Sequence, residues 1–283
     1  MPEDTPIRIH ILRCGSITVA EEVLGGGKGF YLPQVRSMTP MSRRVELPVL
    51  CFLIEHPKGR ILIDSGLCRE ISPEGKYSAR DAAAVLGPSL ASFYHPVLPQ
   101  GEAIDEQLRA LGLAPADIDY VFITHLDADH VCGARALRDA RHIICSQEEY
   151  WWSCRTAYRL RQPERLWLAD RPETFWFKGT VLGPSLWSKD FFDDGSLTLI
   201  HMPGHTEGQF GALLRRGERF AIFTADAAYE SRSWRELRVP GFGFNPEAQL
   251  KCLRWIRDMS MDKGCAAVLA SHDRGLSPGL IEL

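Results

Sequence analysis

The chain has 283 residues, 45% of them hydrophobic and 24% charged, with a formal net charge of -3. That is enough chain to bury a substantial core, and the charge balance excludes a strongly basic nucleic-acid binder. No stretch approaches the ~18 apolar residues that cross a bilayer.

The opening residues, MPEDTPIRIH, are acidic and lack the basic and apolar regions of an export signal, so a cytoplasmic location is expected. A small-molecule substrate is expected, with neither a nucleic-acid nor a membrane partner. The eight cysteines are scattered with no CxxC pair, which predicts reduced thiols. Cys51, Cys145, Cys252 and Cys265 lie in apolar surroundings and read as small core residues. Cys132, two residues past His130, reads as a bystander in a helix's first turn.

In chain order, GGGKG (25–29) lacks the spacing and the Ser/Thr of a phosphate loop and reads as flexible. LPVLCFLIE (47–55) and RILIDSG (60–66) are predicted strands joined by the turn HPKG. AIDEQLRALGL (103–113) is a predicted helix, with Ile104, Leu108 and Leu111 on one face and Gly112 ending it. IDYVFIT (118–124) and ARHIICS (140–146) are apolar, strand-like runs, and a helix is expected to begin near Val131 between them. The stretch 150–192 holds five of the seven tryptophans and reads as an insertion or lid. SLTLIHMPG (196–204), FGALLRR (210–216), RFAIFTAD (219–226) and CAAVLASHD (265–273) complete the predicted strands. NPEAQLKCLRWIRDM (245–259) is a predicted helix with Asn245 as its N-cap and Pro246 in its first turn. Strands alternating with helices imply one layered α/β domain over 1–283.

Histidines and aspartates recur just past the ends of these strands: His125 after IDYVFIT, His205 after LTLIHMPG, Asp226 ending RFAIFTA and His272 after CAAVLAS. Layered α/β proteins build their sites at such strand ends. The segment THLDADH (124–130) adds Asp127, Asp129 and His130. In an extended loop His125 and Asp127 point the same way, while Asp129 and His130 can serve a neighbouring position. One segment therefore offers ligands to two metal ions, and imidazole plus carboxylate suits zinc, iron or manganese.

THLDADHVCG resembles the HxHxDH signature of the metallo-β-lactamase superfamily, with Asp127 in place of the middle histidine. The later landmarks follow in order: ILIDSG with Asp64, PGHTEGQFG with His205, FTADAAY with Asp226 and ASHD with His272. The resemblance spans about residues 45 to 275. Within the superfamily the sequence is most similar to the N-acyl homoserine lactonase branch, through ELPVLCFLIEHPKGRILIDSG, ALGLAPADIDYVFITH and the DAAY step that places Tyr229 three residues after Asp226.

The resemblance implies an αββα sandwich, two mixed β-sheets flanked by helices, with the site at one edge. It implies two divalent metal ions, most naturally zinc. One would be held by His125, Asp127 and His205, the other by Asp129, His130 and His272, with Asp226 bridging. A hydroxide between them would open a lactone ring, Tyr229 would stabilise the oxyanion, and Asp129 would carry a proton to the leaving alkoxide.

Asp127 makes the centre less positive than the usual pattern and favours harder metals, so iron or manganese stays open. Also open are hydrolysis of another ester, a thioester or a phosphodiester, a di-iron oxidoreductase on the same fold, and a binding module that has lost its metals. Asp64 is expected to orient loops beneath the site. The aromatics Trp151, Trp152, Trp167, Phe175, Trp176, Phe177 and Trp187 read as core or subunit interface ahead of an acyl pocket, and a homodimer is compatible with them. Phe30, Tyr31, Phe242 and Phe244 are candidate rim residues.

Overall fold

Residue-by-residue alternation in one strand sets the layering. Leu47, Val49, Cys51 and Leu53 enter one apolar cluster, and Leu50, Phe52 and Ile54 between them enter another. A strand buried on both faces must lie between two layers, which is why LPVLCFLIE is continuously apolar. The computed structural model describes residues 6–25, 43–92, 94–155, 161 and 172–283.

In chain order the first elements are β1 (Arg8–Ala20), β2 (Arg44–His56), β3 (Gly59–Ile63), α1 (Ala79–Leu86), α2 (Pro88–Ala91), β4 (His95–Val97) and α3 (Ile104–Ala110). There follow β5 (Tyr120–Phe122), α4 (Ala128–Val131), β6 (His142–Ser146), α5 (Gln147–Ser153) and β7 (Glu173–Phe175). The second half holds β8 (Lys178–Gly179), β9 (Trp187–Asp190), β10 (Leu197–His201), β11 (Phe210–Arg216) and β12 (Arg219–Ala225). It ends with α6 (Ser231–Arg235), α7 (Pro246–Ser260), β13 (Cys265–Ala270) and β14 (Gly279–Glu282).

Two sheets result, one in the order β14-β1-β2-β3-β5-β6-β7 with β4 also on β1, the other β13-β12-β11-β10-β9-β8. Both are mixed: β3, β5, β6 and β7 run parallel, as do β12 and β13, and the other pairings are antiparallel. The facing sides meet through Phe52, Ile61 and Phe122 against Leu199, Phe210 and Phe223. The outer side of the second sheet packs Ile200, Leu213 and Ile222 on Cys252, Leu253 and Ile256 of α7. The order is helix, sheet, sheet, helix, the expected αββα sandwich.

The Asn245 side chain accepts a hydrogen bond from the Ala248 N–H at 3.0 Å, so α7 starts where its cap predicts. Other expectations needed correction. β1, β4 and β14, and β7 to β9 within the stretch read as an insertion or lid, have no counterpart among the predicted strands. In β1 the alternation is interrupted at Gly15 (φ 97°), where the register shifts between Arg13 and Ser16; a Cβ there would sit 2.6 Å from the Val97 carbonyl oxygen. The helix expected from near Val131 begins three residues earlier, as α4, and runs on as a 3-10 helix over Cys132–Leu137, so Asp129 and His130 lie inside its first turn.

Cys68 and Cys132 form a disulfide, against the expectation of reduced thiols throughout. The loop after β3 and the helical segment after α4 bring them together, a contact that spacing along the chain does not reveal. Cys51, Cys145 and Cys252 are buried, whereas Cys265 is only partly so. No helix of the described residues is long and apolar enough to cross a membrane.

Candidate metal centre

The strand ends of both sheets converge on one edge. The loop after β5 delivers His125, the turn of α4 delivers Asp129 and His130, the loop after β10 delivers His205, and Asp226 and His272 follow just past the ends of β12 and β13. Every one of these side chains is buried. Two groups form: His125, His205 and Asp226, and Asp129, His130 and His272, with the ligand atoms of each lying within 4.8 Å of one another. Asp226 faces both. Its Oδ2 lies 3.9 Å from His125 Nε2 and 3.3 Å from His205 Nε2, while its Oδ1 lies 3.3 Å from Nε2 of both His130 and His272.

Three of the four histidines are aimed by contacts behind them. His130 Nδ1 donates to Asp64 Oδ2 at 2.7 Å, and His272 Nδ1 donates to the Pro48 carbonyl at 2.8 Å. Thr124 Oγ1 donates to Asp64 Oδ2 at 2.9 Å and lies 3.1 Å from His125 Nδ1, from which it accepts. Each of these three rings thus carries its proton on Nδ1 and turns Nε2 toward the common space. Asp64 is the shared anchor, as expected, and it adopts a left-handed backbone (φ 60°) to reach both partners.

A second anchor has no signature in the sequence. Glu149, fully buried on α5, accepts from the Leu126 N–H at 3.1 Å, Thr206 Oγ1 at 2.7 Å and the Gly208 N–H at 3.2 Å. It thereby ties the His125 loop to the His205 loop. Gly208 permits the approach, since a Cβ there would meet the Glu149 backbone nitrogen at 2.0 Å.

The charge pattern follows from burial and proximity. Burial disfavours the Asp226 carboxylate, but His272, His130 and His205 around it hold its pKa well below the usual range. Burial raises the Tyr229 phenol, and the nearby Asp226 carboxylate raises it further, so the hydroxyl keeps its proton. The Tyr229 ring stands 5.9 Å from His205 and 5.1 Å from His272, between the two groups. Tyr94, also missed in the sequence, lines the same space with a buried hydroxyl, and burial followed by Asp129 raises its pKa.

Asp127 is placed differently from the other candidates. Its Oδ2 lies 3.6 Å from His125 Nε2 and 3.0 Å from His205 Nε2, but both oxygens are engaged by Arg161. Arg161 Nε stands 2.8 Å from Oδ1 and 3.0 Å from Oδ2, and Nη2 also donates to Oδ2. Burial opposes ionisation of Asp127, yet the guanidinium keeps its carboxyl well below the ordinary range. Nothing in the local sequence announces Arg161.

A narrow cleft leads to the centre. Its walls are Ile17, Val19, Val23, Leu47, Leu90 and Phe242, and its floor is polar. Phe242 is thus a wall residue, and Phe244 is partly exposed beside Arg161. Trp167, Phe30 and Tyr31 lie outside the described residues. Trp151, Trp176 and Trp187 are exposed, Trp152 and Phe175 are half-buried, and Phe177 is core.

The donor set fits divalent metal. His125 Nε2, His130 Nε2 and Asp226 Oδ1 are buried and make no hydrogen bond among the described residues, a costly arrangement unless a cation completes it. The sequence profile of the metallo-beta-lactamase superfamily matches residues 44–272, with every one of these side chains inside it. The chain belongs to that superfamily.

Relatives within the superfamily span nearly the whole chain. It is 29% identical to the N-acyl homoserine lactonase AttM of Azorhizobium caulinodans, over 95% of this chain and 94% of that protein. Among solved structures, an N-acyl homoserine lactone hydrolase with N-hexanoyl-L-homoserine bound at its catalytic metal centre superposes with a TM-score of 0.73 at 19% identity, covering 95% of this chain and 94% of the other. The dizinc quorum-quenching lactonase AidC gives a TM-score of 0.62 at 14% identity, covering 98% and 94%. These superpositions show that the fold is shared.

Proposed function

We propose that the protein is a metal-dependent hydrolase that opens lactone rings, with N-acyl homoserine lactones as the substrate class. The observation that carries this is the joining of two His/Asp groups through Asp226 at the floor of an apolar cleft. The lactonase relatives support the choice of a lactone over other esters.

His125, His205 and Asp226 would hold one divalent ion and Asp129, His130 and His272 the other, with zinc the natural choice for these ligands. Such ions supply Lewis acidity and an activated water at neutral pH. The chain's own groups do the rest. Aliphatic walls of the cleft desolvate an acyl chain and hold the ring toward the floor. Tyr229, protonated and beside His205 and His272, donates to the carbonyl oxygen as charge develops there. Asp129, facing His272, carries a proton to the leaving alkoxide.

Ring opening releases a proton and can be followed by a pH indicator on a panel of acyl homoserine lactones, simple esters, thioesters and phosphodiesters. The expected result is turnover of lactones that stops on chelation, returns with zinc, and falls by about a thousandfold or more in Asp226→Asn. Folded, metal-loaded protein that leaves every lactone intact, or turnover indifferent to chelation, would refute the reading.

A further inference from the structure

The two halves of the centre are built unequally. In the Asp129/His130/His272 half, both imidazoles are braced from behind, by Asp64 and by the Pro48 carbonyl. In the other half, His205 Nδ1 is buried with no hydrogen-bond partner among the described residues, while Nε2 receives a hydrogen bond from Arg161 Nη2. A guanidinium carries donors only, so His205 meets it with the lone pair that a metal ion would need.

Arg161 is also well held. It grips Asp127 with Nε and Nη2, donates from Nη1 to the His205 carbonyl at 3.2 Å, and lies over the Phe242 ring, 4.3 Å from its centroid. Asp127 and Arg161 together are formally neutral, as an imidazole is.

We propose that Asp127 serves as the anchor of Arg161, and that Arg161 is an internal counter-cation competing with metal for the His125/His205/Asp226 half. The Asp129/His130/His272 half then fills first and tightly, and the second ion binds only as Arg161 withdraws from His205. This rests on the metal-centre part of the proposed function and is independent of which bond the enzyme cleaves.

The test is stepwise addition of zinc to metal-stripped protein, read by competition with a chromophoric chelator, and repeated with cobalt(II) to follow its ligand-field absorption. In the wild type the second equivalent is expected to bind about tenfold or more weakly than the first. Arg161→Gln should tighten the second equivalent by about the same factor and leave the first unchanged. Asp127→Asn, which releases Arg161, should also tighten the second; if Asp127 were itself a ligand, that variant would weaken it. Arg161→Lys keeps the charge without the planar fork and should fall between. Near-ultraviolet circular dichroism checks that each variant is folded.

Two indistinguishable equivalents in the wild type, unchanged in Arg161→Gln, would overturn the proposal while leaving the metal centre standing. A second equivalent weakened by Asp127→Asn would overturn it too. Failure to bind any zinc would overturn both this proposal and the metal-dependent function.

Discussion

His56 shows how one buried ring can write a pH dependence into the whole protein. It stacks on Phe192 at 5.0 Å, and its Nδ1 accepts the Lys58 N–H at 3.1 Å, a bond only the unprotonated nitrogen can make. Burial lowers its pKa from 6.5 to about 4, with the Lys58 ammonium adding to the effect and Asp194 opposing it. An unfolded chain therefore takes up this proton at a higher pH than the folded one. The stabilisation from neutral His56 is complete above about pH 6.5 and is lost as pH falls toward 4. His56→Phe keeps the ring contact and removes the titration. Urea midpoints of that variant should decline less steeply between pH 6.5 and 4 than those of the wild type; parallel slopes would show that His56 contributes nothing.

Among the elements, α5 acts on the centre at a distance, because its Glu149 receives three donors from the two ligand loops. Glu149→Ala leaves those donors without a partner in a buried place. A stability loss of about 2–4 kcal/mol in urea unfolding is expected, with weaker zinc binding in competition assays. Zinc affinity equal to the wild type would mean that the loops hold their shape unaided.

The same contact marks the limit of what was legible in the sequence. His125, Asp129, His130, His205, Asp226 and His272 stand out because each follows an apolar strand, and strand ends converge when strands share a sheet. Glu149 and Arg161 do not, since their roles come from tertiary contacts spanning 23 to 59 and 34 to 44 positions along the chain. β1 was hidden by the bulge at Gly15, which breaks a period-two pattern in its middle. β14 is a four-residue strand that exists only because β1 offers it an edge. The left-handed conformation of Ala225 (φ 46°), the residue before Asp226, is likewise invisible in an alanine.

Across the whole molecule, the Cys68–Cys132 bridge links the loop after β3 to the end of α4 over 64 positions. The backbone already meets there, Ser65 N–H donating to the His130 carbonyl at 2.9 Å and Gly133 N–H to the Gly66 carbonyl at 2.9 Å. The bridge thus constrains the unfolded chain more than it shapes the folded one. Reduction, or Cys132→Ser, should cost about 2–4 kcal/mol and lower the melting temperature by several degrees. Calorimetry with and without reductant checks this, and identical transitions would mean that the thiols stay unpaired in solution.

β1 is flanked on one side by β2 and on the other by two short strands, β14 along Arg8–Ile11 and β4 along Ser16–Thr18. The pairing with β14 continues to Leu283, whose N–H donates to the Ile7 carbonyl at 2.9 Å. The first and last strands are therefore neighbours, and the linear order of the chain is not what holds the sandwich together. Joining residue 283 to residue 1 through a short glycine-serine link, and opening the chain at Gly217–Glu218 between β11 and β12, would leave every strand its partners. That turn lies at the end of β12 opposite Asp226, away from the ligands. The circularly permuted protein should fold and take up zinc as the parent does, making the β11–β12 turn a place to attach a reporter far from the cleft.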